Sequence, residues 1–134
     1  MKYRFLCPQN KIHMSNTPQR AIASWYNNIE LGQEYLLQED YAQALYSIGS
    51  AFEISEVLCT CKQIDSDFPV KWLTQSAIIL AQCFIHCGDD KQGQAILVFT
   101  KQKLEREQRF KNTVRQQIRL LEIANRLSMS EGVH

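Results

Sequence analysis

Apolar residues recur at helical spacing from residue 18 to about residue 38, and this pattern predicts the first long helix of the chain. Thr17 followed by Pro18 is typical of a helix start, because threonine can cap free amide groups and proline fits the first turn. The apolar positions lie three or four residues apart, as one face of a helix requires. These positions are Ile22, Trp25, Ile29, Gly32, Tyr35 and Leu36.

Two further helices follow, with a break between them. Glu39 and Asp40 place negative charge at the positive end of a second helix, which we expect to reach Cys61. Residues 65–68 have the composition of a turn, and Pro69 can open a third helix, predicted over residues 71–87. Because both sides of this third helix are apolar, we expect it to be the most buried of all.

The end of the chain also reads as helical. Gly88 ends the third helix, and Asp89 and Asp90 cap a fourth that runs through Leu104. Residues 101–128 contain neither Gly nor Pro. We expect a break at 109–113 with Asn112 or Thr113 as the cap, although one bent continuous helix also fits. The apolar positions that continue the helical period are Val114, Ile118, Leu121 and Leu127.

Residues 1–16 show no helical period. We therefore expect a flexible N-terminal extension over residues 1–16, followed by a single helical domain over residues 17–130. Met14, just before the Thr17-Pro18 helix start, is a candidate for the true first residue.

The first two helices carry a more specific pattern. Small residues let two helices approach closely, while larger apolar ones fill the space around the contact. The pattern resembles the tetratricopeptide repeat (TPR), which runs Trp-x2-Leu-Gly-x2-Tyr and then Ala-x3-Phe. It departs from the family at Asn28, where Trp is preferred, and at Glu56, where Pro usually closes the repeat. The repeat-packing positions are Leu31, Gly32, Tyr35, Ala44, Ile48 and Ala51.

A degenerate second repeat follows the first. Leu80-Ala81-x2-Phe84 and then Gly93 and Leu97 match the same pattern. Its start lies 49 residues after Leu31, whereas one repeat of the family spans about 34 residues. We expect the excess to lengthen the two helices that flank the 65–68 loop.

The resemblance implies an all-α fold of antiparallel TPR-like helical hairpins with a C-terminal capping helix, about five helices in total. It also implies a protein–protein interaction module, such as an adaptor, scaffold or chaperone-like protein, that binds a peptide or partner helix in a groove. That groove would lie on the first helix of each hairpin. Its residues carried over from the family pattern are Tyr26, Ile29, Gln33, Leu36 and Leu37, then Gln75, Ile78, Gln82, Ile85 and His86.

Two repeats are fewer than the roughly three that bury a continuous core. The last helix must then cap the array, or a second copy must do so in a homodimer. A terminal helix that closes the groove is the alternative to an open binding surface, since short arrays need capping.

The formal net charge of +1 hides an asymmetry. Residues 30–70 are strongly acidic, with Lys62 the only base, whereas residues 101–126 are rich in Lys and Arg. Such polarity could steer a partner or a second copy. Lys111, Arg115 and Arg119 form a basic stripe, which we interpret as the solvated outer face of a capping helix. The alternative is a small regulatory protein that binds nucleic acid or an acidic partner there. Phe110 is the only aromatic residue nearby that could stack on a base, so nucleic acid is the less favoured partner.

The five cysteines allow a zinc site, through Cys59 and Cys61 or through Cys83, His86 and Cys87. We favour small apolar core fillers, because Cys83 and Cys87 share a helix face with large apolar residues. No phosphate-binding loop or catalytic motif occurs in the sequence. We therefore expect no metal, no cofactor and no enzymatic activity.

The N-terminus lacks the apolar run of a secretory signal, and no stretch approaches the roughly 20 apolar residues of a membrane helix. The cysteines are not spaced like a secreted disulfide framework. We therefore expect a cytoplasmic protein that does not bind membranes.

Overall fold

The structure, a computed structural model, describes residues 4–131, with side chains through Ser128, and this part of the chain is all-α. The predicted fold class is confirmed. One more helix is present among the described residues than the five expected, because the N-terminal segment also forms one. The helices are α1 (Pro8–Asn16), α2 (Pro18–Leu37), α3 (Tyr41–Thr60), α4 (Phe68–His86), α5 (Asp90–Glu105) and α6 (Lys111–Glu131).

The helices from α2 to α6 form two layers. Each packs against the next along the chain, and α4 also contacts α6. Trp25 of α2 stacks on Trp72 of α4, with ring centroids 4.0 Å apart. An ion pair of 2.7 Å joins Lys103 Nζ of α5 to Glu56 of α3. We infer that α2, α4 and α6 lie in one layer and α3 and α5 in the other.

The turn between α2 and α3 is a Schellman motif, in which a residue with positive φ follows the helix and two amide groups bond back to it. Glu39 takes the left-handed conformation, with φ of 58°. Its amide group donates to Leu36, and that of Asp40 donates to Tyr35, at 3.0 and 2.9 Å. Asp40 then caps α3, since its carboxylate accepts the amide of Gln43.

The turn between α4 and α5 repeats this arrangement 49 residues later. Gly88 replaces Glu39, with φ of 86°. Its amide donates to Ile85, and that of Asp89 donates to Phe84, at 2.9 and 2.8 Å. Asp89 caps α5 by accepting the amide of Gln92. The two hairpins are therefore built on the same local geometry.

In each hairpin the two helices approach each other closely at a glycine. A Cβ atom on Gly32 would lie 2.3 Å from Cδ1 of Ile48, so the side chain of Ile48 rests on the backbone of α2. In the second hairpin the glycine is on the other helix, and a Cβ atom on Gly93 would lie 2.9 Å from the carbonyl oxygen of Ala81. The predicted contact between Gly32 and Ile48 is confirmed.

Not every repeat-packing position is buried. Ala44, Ile48 and Ala51 are fully buried, and Tyr35 packs against the core from a half-buried position. Leu31 is 42% exposed, so its expected packing role is wrong. The inward face of α2 follows Trp25, Ile29 and Gly32, and Leu31 lies about 100° around the helix from Gly32.

The interruption between α5 and α6 is confirmed, since α5 ends at Glu105 and α6 begins at Lys111. One continuous helix is therefore excluded. Asn112 and Thr113 lie inside α6, so neither of them is its cap. Phe110, with φ of 55°, directly precedes α6. The hydroxyl of Thr113 instead donates to Asp67 Oδ2 at 2.7 Å, and this hydrogen bond lowers the pKa of Asp67. The start of α6 is thereby tied to the loop between α3 and α4.

α1 corrects the expectation that the N-terminal segment has no helical structure. It contains no buried residue, which explains why no apolar period marks it in the sequence. Its start is capped by the sulfur of Cys7, which accepts the amide of Asn10. Its position depends on contacts with α2 and α3 rather than on an apolar face of its own. The predicted flexibility of residues 1–16 stays a prediction.

α3 and α4 form the centre of the molecule and bury ten residues each, so α4 is not uniquely buried as expected. Within the described residues, α4 is the one helix long and apolar enough to cross a membrane, contrary to the expectation that no stretch qualifies. Of the residues in its apolar window, 56% are buried against other helices. Such burial is typical of a core helix and is consistent with a soluble protein.

The cysteines include buried, exposed and, at Cys59, half-buried thiols. Cys83 is fully buried, and burial raises its pKa to about 12. Burial likewise raises the pKa of Cys59 to about 12. Cys61 is buried, whereas Cys7 and Cys87 are exposed. The core role expected for Cys87 is wrong, because α4 ends at His86 and Cys87 is its C-cap residue.

Replacing Gly32 with leucine should overpack the contact with Ile48 and lower the free energy of unfolding by about 1–3 kcal/mol. Leu31→Ala is the neighbouring control and should change it by less than about 0.5 kcal/mol, because Leu31 is largely exposed. Urea denaturation measures both. Equal midpoints for Gly32→Leu and the wild-type protein would contradict the close packing.

Glu39→Gly should stabilise the protein by about 1 kcal/mol, because glycine adopts positive φ without the steric cost that other residues carry. Gly88→Ala, at the equivalent position, should destabilise it by a similar amount. Thermal unfolding at neutral pH measures both. Shifts of the same sign for the two variants would be inconsistent with equivalent turns.

A maleimide reagent at pH 8 should modify Cys7 and Cys87 rapidly, half-buried Cys59 slowly and Cys83 only after unfolding, because shielded thiols with a raised pKa form little thiolate. Mass spectrometry of digested protein locates the modified residues. The raised pKa values of Cys59 and Cys83 predict that the contribution of these thiols to stability is fully present below about pH 9 and is lost as pH rises from 9 towards 12, where only unfolded thiols ionise. Rapid modification of Cys83 in native protein would contradict its burial.

Candidate interaction surface

A cleft of about 290 Å³ lies between α4 and α6, in the layer where the resemblance places a groove. Its walls are mainly apolar, with two polar side chains from α4. Leu97 of α5 also borders it. The lining residues of α4 and α6 are Ile78, Ala81, Gln82, Ile85 and His86, then Leu120, Ile123, Ala124, Leu127 and Ser128.

α6 supplies one wall through a second apolar stripe. Leu120, Ile123 and Leu127 are exposed and lie three and four residues apart, so they share a face. Leu127 is 61% exposed, which corrects its assignment to the inward stripe. Ser128 takes the inward position instead, in line with buried Leu121. Neither Leu120 nor Ile123 was among the predicted site residues.

The sequence did contain a signal for this second stripe. A single inward face of α6 accounts for Val114, Ile118 and Leu121, but not for Leu120 and Ile123. Two large apolar residues outside the expected face indicate a helix that is apolar on two sides.

α4 supplies the opposite wall. Ile78 and Ile85 are half-buried, and Gln82 and His86 are exposed. The imidazole of His86 stacks on the ring of Tyr41 at the start of α3, with centroids 4.3 Å apart and planes within 7°. The side chain of His86 is therefore held in place, and the amide of Gln82 offers a donor and an acceptor beside the apolar walls.

The predicted groove positions of α2 do not line this cleft. Ile29 is buried in the core, so its groove assignment is wrong. Leu36 is half-buried and packs against the same core. Gln33 and Leu37 are exposed on α2, and Gln75 is exposed on α4 outside the cleft. Of the predicted groove residues, only those of the second hairpin lie together in the cleft.

Tyr26 belongs to an aromatic group that joins α2 to α4. Its ring meets Trp72 edge-on, with centroids 5.1 Å apart, while one side of Tyr26 remains exposed. Phe68 also meets Trp72 edge-on, with centroids 4.7 Å apart. Trp25 Nε1 donates to Ser76 Oγ at 3.0 Å, so the buried indole has a polar partner. This group fixes how the two hairpins stack.

The basic stripe borders the apolar stripe of α6. Lys111, Arg115 and Arg119 are exposed and form no ion pair within residues 4–128. Arg115 and Arg119 flank a shallow depression of about 340 Å³ that also contains Leu120 and Ile123. A surface that is both cationic and apolar suits an anionic partner with an apolar face.

Phe110, the aromatic residue nearest the stripe, is covered. The guanidinium group of Arg109 lies 4.7 Å from the centre of its ring. Stacking of a nucleic-acid base on this ring would require Arg109 to move. This face of the Phe110 ring is therefore occupied by a side chain of the protein itself.

A second cleft, of about 380 Å³, lies between α5 and α6 and has mixed charge. Lys101 and Glu122 form an ion pair there at 3.5 Å. Asn125 Oδ1 is buried and accepts no hydrogen bond from any described residue. No group of three His, Cys, Asp or Glu side chains in the described part of the chain is placed to hold a metal ion. The cleft between α4 and α6 is the better candidate site, because its walls are apolar.

Comparisons of the chain with protein-family models, characterised proteins and solved structures found no match.

Proposed function

We propose that the protein is an interaction module that binds an amphipathic segment of another protein in the cleft between α4 and α6. The observation that carries this proposal is the pair of apolar walls. Ile78 and Ile85 face the cleft from α4, and Leu120, Ile123 and Leu127 face it from α6. Clustered exposed apolar residues on a soluble protein mark interaction sites more often than single ones do.

The shape of the cleft favours a helix over a small molecule. Its volume, about 290 Å³, is at the lower limit of small-molecule pockets, which span roughly 300–1,000 Å³. Because the two walls are helices in the same layer, the space between them is elongated. An amphipathic helix can place apolar anchors at i, i+3 and i+4 in such a groove.

The charge beside the cleft narrows the class of partner. Arg115 and Arg119 lie at the edge of the apolar stripe without ion-pair partners among residues 4–128. A partner helix with acidic residues flanking its apolar anchors would contact both features. The basic stripe and the apolar cleft then act as one surface, with the charges favouring association and the apolar anchors slowing dissociation.

We further propose that the protein works in a reducing compartment such as the cytoplasm. Its five cysteines are unpaired, and two of them are exposed. Exposed free thiols persist where glutathione and thioredoxin keep them reduced.

Ile123→Glu should weaken partner binding at least about tenfold, because it places a charge in the apolar wall. Leu31→Glu is the matched control, since Ile123 is 39% and Leu31 42% exposed, and Leu31 lies outside the cleft. Affinity purification from native lysate with quantitative mass spectrometry identifies proteins retained by the wild type and by Leu31→Glu but lost with Ile123→Glu. Identical retained proteins for both variants would exclude the cleft.

The double variant Arg115→Glu, Arg119→Glu separates this proposal from nucleic-acid binding. For a groove binder it should weaken association less than Ile123→Glu does. A fluorescent oligonucleotide titrated at increasing salt tests the alternative, because phosphate-driven binding falls steeply with salt. Salt-sensitive oligonucleotide binding that the double variant abolishes and Ile123→Glu leaves intact would favour the alternative.

A further inference from the structure

Glu53 of α3 is a buried carboxylate, 2% exposed, in a run of five buried residues from Ala51 to Ser55. Burying a carboxylate without partners is strongly unfavourable. Every hydrogen bond and ion pair that Glu53 makes within the described residues comes from the N-terminal segment. The backbone amides of Phe5 and Leu6 both donate to Oε2, and Lys11 Nζ lies 3.0 Å from Oε1.

One helical turn before Glu53, Gly49 makes room for the ring of Phe5. A Cβ atom at Gly49 would lie 2.5 Å from three carbons of that ring, so any other residue would displace it. Tyr46 contacts the ring edge-on, with centroids 6.3 Å apart. Tyr46, Gly49 and Glu53 are spaced by three and four residues and therefore form one stripe along α3.

α3 holds the N-terminal arm, residues 4–11, largely through the backbone of the arm. Two consecutive amide groups bond to one carboxylate oxygen, while a single aromatic ring fills the space over the glycine. Backbone hydrogen bonds with a pocket for one side chain are how extended peptides are commonly bound.

The arm is held by few buried apolar contacts. α1, which begins within the arm at Pro8, buries no residue, and Ile12 on α1 is 63% exposed. Phe5, Leu6 and Met14 are only partly buried where they pack on the core. Segments with few buried apolar contacts open well below the free energy of global unfolding.

We propose that the stripe Tyr46, Gly49 and Glu53 is a peptide-binding site that the chain occupies with its own arm and releases reversibly. The ligand class is a peptide whose non-helical start carries an aromatic residue and two consecutive free amide groups, followed by a helical turn with a cation six residues after the aromatic residue. The site is on α3, away from the cleft between α4 and α6, and does not depend on the function proposed there.

The test uses the full chain and a fluorescent peptide of residues 4–16. In the wild-type protein the tethered arm should outcompete the free peptide, because tethering gives it a high effective concentration. Phe5→Ala removes the ring that anchors the tethered arm and leaves the site intact. By fluorescence anisotropy this variant should bind the peptide at least about tenfold more tightly than the wild type does. Ile12→Ala is the control and should bind like the wild type.

Two further variants locate the binding. Adding Glu53→Gln to Phe5→Ala should return binding to the wild-type level, and a peptide carrying Phe5→Ala should not bind either chain. Hydrogen exchange of Phe5→Ala should rise in residues 5–16 and stay unchanged in α2 to α6.

Three results would overturn the proposal. They are no gain in peptide binding by Phe5→Ala, equal binding after Glu53→Gln is added, and faster exchange spreading into α2 to α6. The last result would show that the arm is part of the cooperative fold.

Discussion

The side chain of Ile48 lies directly on the backbone of Gly32, and this contact sets the distance between α2 and α3. Gly93 allows the same close approach between α4 and α5. In each hairpin the helices are joined by a Schellman turn whose final residue, Asp40 or Asp89, also caps the next helix. Because the hairpins share one geometry, stacking them through the Trp25–Trp72 pair places α2 and α4 in one layer, and α6 becomes the third helix of that layer.

The two ends of the stacked hairpins differ in what covers them. On α3, the side that bears Gly49 and Glu53 is covered by the N-terminal arm. At the other end, α6 packs on α4 and α5 with one face, and no described helix follows to cover its second apolar face. That face bears Leu120, Ile123 and Leu127. The cleft proposed as the interaction site runs along this second face of α6.

Helical period, proline, glycine and acidic caps predicted α2 to α6, because these signals act within a few residues of the chain. Features that depend on tertiary contacts were missed. α1 has no apolar face, and only its contacts with α2 and α3 indicate it. Ile29 is buried although it was expected to face a groove, and Leu31 is exposed although it was expected to pack. The rotation of α2 that decides this is set by the packing of Trp25 and Gly32 against neighbouring helices. The α4 half of the candidate site was predicted, whereas the α6 half required knowing which face of α6 turns inward.

Part of the charge asymmetry of the sequence is neutralised by contacts within the molecule. Glu56 pairs with Lys103, Asp65 lies 3.8 Å from Arg109, and Asp67 accepts the hydroxyl of Thr113. These contacts join the acidic end of α3 and the loop after it to α5 and the start of α6. The bond between Thr113 and Asp67 holds the start of α6 against the loop between α3 and α4. Three acidic residues are thus engaged, whereas Arg115 and Arg119 form no ion pair among residues 4–128. At physiological ionic strength, screening over about 8 Å confines their attraction to the edge of the cleft, so in the proposed complex these charges act only on a partner that is already close.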